Sequence, residues 1–271
     1  MILGGPPKKG KSRLVLDTML RAAQGFPAFG IFEQDIKKAL YYNAEGGVFA
    51  IKMRAGMYRH LDQPVLQRIA VSSERPTLMT RDGVISPETM DDLAIAWAGY
   101  DVVVLDPLVS FHEGDENSNQ QMGNLFDQLR ILTETYDVSL VIVHHTGKTG
   151  KDETAVHAKH DAGMRLRGAS AIHGAVDSAV MAWPTTDGLS LVFDLRYAEN
   201  PGEIHLAVDH ITGRFYLKTQ WAQNVWLPDP HDFAREYGYN VERYMQGFGI
   251  ADVLAQAVMK KASNDATSLI R

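Results

Sequence analysis

The sequence predicts an α/β fold in which a mostly parallel central sheet is flanked by helices. Three observations carry that expectation. Short β-rich runs alternate with helical stretches along most of the chain. The run Asp101–Leu105 (DVVVL) is continuously apolar and mostly β-branched after its first residue, the pattern of a strand buried on both faces. A glycine-bounded stretch, Gly5-Pro6-Pro7-Lys8-Lys9-Gly10-Lys11-Ser12, stands between a strand-like Met1-Ile2-Leu3 and an amphipathic run. That strand–loop–helix order is the one that grips phosphate in α/β proteins.

The elements follow in order. Ser12–Gln24 has apolar residues at helical spacing directly behind the glycine loop. Lys38–Asn43 (KALYYN) reads as a buried strand with an acidic end at Glu45. Pro87–Ala98 reads as a helix, with Ser86 and Pro87 as N-cap and first-turn residues. Asp101–Leu105 is the central strand. Met122–Tyr136 is amphipathic, and Ser139–Val143 (SLVIV) is a further buried strand. Residues 146–168 form a polar, glycine-punctuated stretch, long enough to be a functional loop. Leu189–Leu195 and Ile204–Val208 alternate as a hairpin about Asn200-Pro201-Gly202, and Ile211–Leu217 closes as an edge hairpin. Residues 1–228 read as one domain. Pro228 and Pro230 then break the chain, and residues 229–271 carry two helical patterns. They read as a tail packed on the core, or as a helix-turn-helix that stops before completion.

Composition limits the function classes. Of 271 residues, 45% are hydrophobic and 22% charged, as in an ordinary soluble globular protein. No apolar run is long enough to span a membrane, and the N-terminus lacks a secretory pattern, so no membrane partner is expected. The absence of cysteine excludes disulfides and thiolate metal sites and fits a reducing cytoplasm. A formal charge of −6 argues against coating nucleic acid with the whole surface, so such binding would need a local patch.

The glycine loop satisfies G-x-x-x-x-G-K-[ST] in full. Glycines let backbone N–H groups turn inward around phosphate oxygens, and the next helix offers them its N-terminus. Gly5, Pro6, Pro7, Lys8, Lys9, Gly10, Lys11, Ser12 and Arg13 are therefore the expected nucleotide-binding residues. Lys11 would reach the β- and γ-phosphates of ATP and Ser12 would hold Mg²⁺. Asp106, ending the DVVVL strand, is the candidate second Mg²⁺ ligand, or else a strand-end cap. Pro107 follows it, so the carboxylate that activates water must come from elsewhere. Glu45 is the best-placed candidate and Glu33 the second; a solvated turn carboxylate is the alternative for Glu45.

Taken in order, GGPPKKGKSRLVLD, KALYYNAEGG, YDVVVLDPLVSFHEGDENS, SLVIVHHTGK and RGASAIHGAVDSAV resemble the RecA-like AAA ATPases of the RepA group, over roughly residues 1–217. That group includes hexameric plasmid replicative helicases and many phage ATPases. The most specific part is LDPLVSF with its acidic residues, then HHTGK, then RGAS. The resemblance implies a RecA-like P-loop fold, with Lys11 and Ser12 on phosphate and Mg²⁺, Glu45 as catalytic carboxylate and Asp106 as the Walker-B aspartate. It implies that His144 and His145 stand where the family places a γ-phosphate sensor. A structural role or metal binding are the alternatives, although neighbouring strand residues point to opposite faces and chelate one ion poorly. It implies that Arg196 reaches the neighbouring subunit's γ-phosphate, with Asp194 where relatives carry lysine. Asp177 stands where the plasmid enzyme carries arginine, which departs from that enzyme.

The loop TGKTGKDETAVHAKHDAGMRLRG sets Lys148, Lys151, Lys159, Arg165 and Arg167 against Asp152, Glu153 and Asp161. Its local surplus is small for one chain, but six copies in a ring would follow a single-stranded backbone. A mobile loop without a partner is the alternative. The loop FHEGDENSN is acidic and would repel DNA. The expected function is a Mg-ATP-hydrolysing motor, a hexameric helicase or translocase on single-stranded DNA in plasmid or phage replication or recombination. The alternative is a RecA-type switch acting on protein partners. A P-loop kinase with residues 146–168 as a lid fits RGAS and the late hairpin poorly. Met1-Ile2-Leu3 leaves only a three-residue first strand, or else the chain as given lacks its natural beginning; the stop at SLIR raises the same question.

Overall fold

The computed structural model describes residues 1–25, 36–45, 47, 63–146, 166, 170–208 and 214–218. The described strands are β1 (Ile2–Gly4), β2 (Ala39–Asn43), β3 (Ile69–Ser72), β4 (Val102–Asp106), β5 (Ser139–Val143), β6 (Ser178–Pro184), β7 (Gly188–Leu195), β8 (Ile204–Val208) and β9 (Phe215–Leu217). The described α-helices are α1 (Lys11–Ala23), α2 (Gln63–Leu66), α3 (Pro87–Trp97), α4 (Asn119–Tyr136) and α5 (Ser170–Ala175). All nine strands join one sheet in the order β3-β2-β4-β5-β1-β6-β7-β8-β9. From β3 to β6 every pairing is parallel, and from β6 to β9 every pairing is antiparallel. The α/β class with a late antiparallel section is therefore as the sequence predicts.

Parity along the strands divides the core into two layers. Val103 and Leu105 of β4 pack with Leu93 and Trp97 of α3 and with Leu125 and Leu129 of α4. Val102 and Val104 pack on the other face with Leu14, Val15 and Met19 of α1. A strand covered on both faces needs no polar alternation, which is why DVVVL reads as it does. The short β1 is also covered on both faces, Ile2 by one layer and Leu3 by the other. Parallel partners on both sides hold it: Leu3 pairs with Val143 of β5 and with Val180 of β6.

Element boundaries shift where capping decides them. Helix α4 begins at Asn119, three residues before the expected start, because the Ser118 side chain accepts from the Gln121 N–H. Ser86 accepts from the Thr89 N–H at the start of α3, with Pro87 in its first turn, as its sequence implies. Strands β3 and β6 have no counterpart in the sequence reading. IAVS is short, and SAVMAWP has neither alternation nor a turn before it, so neither announces itself by period. Thr146 and Leu166 form an isolated antiparallel bridge at the two ends of the polar loop. The rest of that loop, Glu33 and the tail 229–271 lie outside the described residues.

Candidate nucleotide site

The site grows from the end of β1. Gly5 passes so close to β6 that an added Cβ would lie 2.4 Å from the Ala182 carbonyl oxygen, so only glycine fits. Gly10 caps α1 at φ 95°, in the left-handed region, and its carbonyl accepts from the Leu14 N–H at 2.9 Å. Lys8 is also left-handed, at φ 60°. The first turn of α1 carries no acidic residue, so nothing opposes an anion at its N-terminus. Pro7, Lys8 and Lys9 are exposed along this loop, while Ser12 and Arg13 are half-buried in the first turn of α1.

Lys11 is only 4% exposed. Its Nζ donates to the carbonyls of Gly5 and Pro6, each at 2.8 Å, and lies 3.3 Å from Nδ1 of His145. Burial pulls its ammonium down to about 8, against the opposing pull of Asp106 and then Glu45. His145 is held below its ordinary value by burial and by Lys11, so the neutral imidazole is favoured. With Nδ1 accepting from Lys11, its proton sits on Nε2, which lies 3.7 Å from Oε1 of Glu45. Lysine, imidazole and carboxylate thus form a chain across the sheet edge.

Strand order explains the sequence of groups. β2, β4, β5 and β1 are neighbours, so Glu45, Asp106, His145 and Lys11 emerge one strand apart along a single edge. Asp106 is 3% exposed and accepts a short hydrogen bond from the Tyr41 hydroxyl. The Asp106 carbonyl accepts from the Ala44 N–H at 2.8 Å, and Asn43 Nδ2 donates to the Glu45 carbonyl at 2.9 Å. These bonds tie the chain around Glu45 to the ends of β2 and β4, while the Glu45 side chain remains 59% exposed. Tyr41 and Asn43 went unnoticed as site residues in the sequence. The one signal was a tyrosine inside a buried strand, where its hydroxyl must find a partner.

The two histidines separate. His145 has the parity of Val141 and Val143, on the α1 face where Lys11 stands. His144 has the parity of Ile142, on the α4 face, where it is buried and contributes to holding the neighbouring His112 neutral. Among the described residues, no group of three or more His, Cys, Asp or Glu side chains could hold a metal ion. A hydroxyl from Ser12 and a carboxylate oxygen from Asp106 are hard donors that suit Mg²⁺, which keeps much of its water and takes few protein ligands.

Arg196 lies elsewhere. β7 runs antiparallel to β6 with Leu195 opposite Ser178, so its C-terminus lies at the end of the sheet strands opposite the glycine loop. There Arg196 donates to the Gly174 carbonyl at 2.6 Å and stands 3.6 Å from Asp177, while Asp194 pairs with His173 at 2.7 Å. It does not join the site of its own chain. Lys148, Lys151, Lys159, Arg165 and Arg167 fall outside the described residues.

Residues 1–151 match the family described as an AAA domain. Among solved structures, the crystal structure of the RadB recombinase is similar to this chain, with a TM-score of 0.53 at 13% identity. The match covers 79% of this chain and 89% of that one, and it supports the RecA-like P-loop architecture of the sheet. Among the described residues, no helix is long and apolar enough to cross a membrane.

Proposed function

We propose that this chain, which belongs to the AAA domain family, is a Mg²⁺-dependent ATPase that works as a ring-forming motor on single-stranded DNA. The observation that carries the ATPase reading is the chain Lys11–His145–Glu45 beside the buried Asp106. Lys11, now resting on the loop's own carbonyls, exchanges them for the β- and γ-phosphate oxygens. Ser12 and Asp106 would hold Mg²⁺, which spreads the negative charge of the phosphates. Glu45 takes a proton from water as the water oxygen bonds the γ-phosphorus; the bond to the β,γ-bridging oxygen breaks, leaving ADP and phosphate. His145, between Lys11 and Glu45, exchanges partners when the γ-phosphate arrives and leaves, which fits it to report nucleotide state.

The motor reading rests on the resemblance to the RepA group and on the basic surplus of residues 148–167. The RadB likeness is compatible with it. Arg196 faces away from its own site, so a neighbouring copy in a head-to-tail ring is the recipient it could serve, and a hexamer is the ring the resemblance implies.

Two variants test the site. Lys11→Ala should lose nucleotide binding and turnover together, measured by fluorescent-nucleotide binding and phosphate release. Glu45→Gln should keep binding while turnover falls about a hundredfold or more; near-normal turnover would place the base elsewhere.

A further inference from the structure

We propose that Tyr41 is a positioning residue for the Mg²⁺-binding carboxylate: its hydroxyl holds one oxygen of Asp106 and so fixes the plane in which the carboxylate meets the metal. The inference rests on the nucleotide-site reading above. Position 41 lies in the layer between the sheet and α1, among Leu14, Val15, Met19 and Val104. Packing alone would be met there by a phenylalanine, and a hydroxyl taken out of water is destabilising unless it finds a partner. The partner here is Asp106 Oδ2.

The register makes this contact a product of the strands themselves. Tyr41 pairs with Val104 and Asn43 with Asp106, so Tyr41 and Asp106 lie two residues apart on the same face of adjacent strands. A tyrosine side chain spans that offset, and both groups are rigidly placed because β2 and β4 are buried along their whole length. Bonds of this kind, from a buried donor to a metal-ligating carboxylate, set ligand orientation and carry about 10–100-fold in metal affinity. On the same strand, Asn43 fixes the backbone at Glu45. β2 therefore sets both acidic groups from behind.

The test is Tyr41→Phe, which removes only the oxygen. Binding of a fluorescent, non-hydrolysable ATP analogue is followed as Mg²⁺ is titrated, and again in EDTA. The positioning role predicts that the Mg²⁺ needed for half-saturation rises about tenfold or more, while metal-free binding is unchanged. A wild-type Mg²⁺ curve overturns it, as does an equal loss with and without metal, which would mean general damage to the core. The same titration in an Asp106→Ala background should show no added effect of Tyr41→Phe. That comparison also serves if the single variant does not fold, since the double variant leaves no buried carboxylate without its donor; an added loss there overturns the role. Wild-type protein that binds no nucleotide with metal would overturn the reading of the site itself, whereas wild-type binding with an unaltered Tyr41→Phe curve overturns only the role of Tyr41.

Discussion

His112 shows how burial at one residue shapes behaviour with pH. Burial holds its imidazole below the ordinary value, against the pull of Glu116, 3.9 Å away, and of the Gly114 backbone, with His144 adding to the depression. In the unfolded chain the same ring takes its proton near 6.5, while in the fold it resists until lower pH. Its contribution to stability is therefore complete above that value and is lost as pH falls through the folded one. The depressed His145 acts in the same direction. Thermal unfolding of wild type should lose Tm as the pH falls below the ordinary imidazole value of 6.5, and His112→Gln should lose less. Equal losses in both would remove His112 from the account. The histidine pair HHTGK was legible as two candidates on opposite faces, because strand parity is a backbone property. Which of them meets Lys11 required the sheet order, since only the placement of β5 beside β1 brings His145 to the loop.

Helix α1 and strand β9 are joined by a buried ionic clamp that supports the phosphate loop. Asp17 Oδ1 lies 2.6 Å from Arg214 Nε, and its Oδ2 lies 3.1 Å from Arg21 Nε and accepts from the Phe215 N–H at 3.0 Å. Arg21 also donates to the Phe215 carbonyl at 2.5 Å and lies over the Tyr216 ring, 5.4 Å from its centroid. One carboxylate thus sits against two guanidiniums, with all three side chains out of water. Removing it leaves two buried cations facing one another, a loss on the order of 3–5 kcal/mol. Asp17→Ala should accordingly lower the unfolding free energy in denaturant by that order and weaken ATP binding, since the Phe215 ring packs beside Gly10. A loss under about 1 kcal/mol would mean that the clamp is solvated. No pattern in the sequence announces it: Asp17 and Arg21 read as an ordinary i,i+4 pair, and Arg214 lies almost two hundred residues away. Strands β2, β4 and β5 and the Ser86 start of α3 were legible because period and caps are local, while the Ser118 cap of α4 was passed over. β3 and β6 were not legible, because pairing with distant strands makes them strands.

Among the described residues, the candidate nucleotide site and Arg196 lie at opposite ends of the sheet strands. The candidate site lies at the C-terminal end of β1, β2, β4 and β5, and Arg196 stands at the other end. In the motor proposed here, copies meet with one end against the next, so that Arg196 leaves Gly174 and Asp177 to complete a neighbour's site. The glycine loop, Glu45, Asp106 and His145 were legible as an ordered set of candidates, and the strand order brings them to one end of the sheet. Their supports, Tyr41 and Asn43, were not, because nothing in a sequence says which strand lies beside which. The central claim, that ATP hydrolysis at this site drives work on single-stranded DNA, is tested most directly by steady-state phosphate release from the wild-type chain. Rates are compared with and without single-stranded DNA at fixed Mg-ATP, and Glu45→Gln serves as the inactive control. The account predicts hydrolysis that rises several-fold on adding DNA and loses that stimulation as salt is raised. Hydrolysis indifferent to DNA at every salt concentration would contradict it, and would favour a RecA-type switch acting on protein partners.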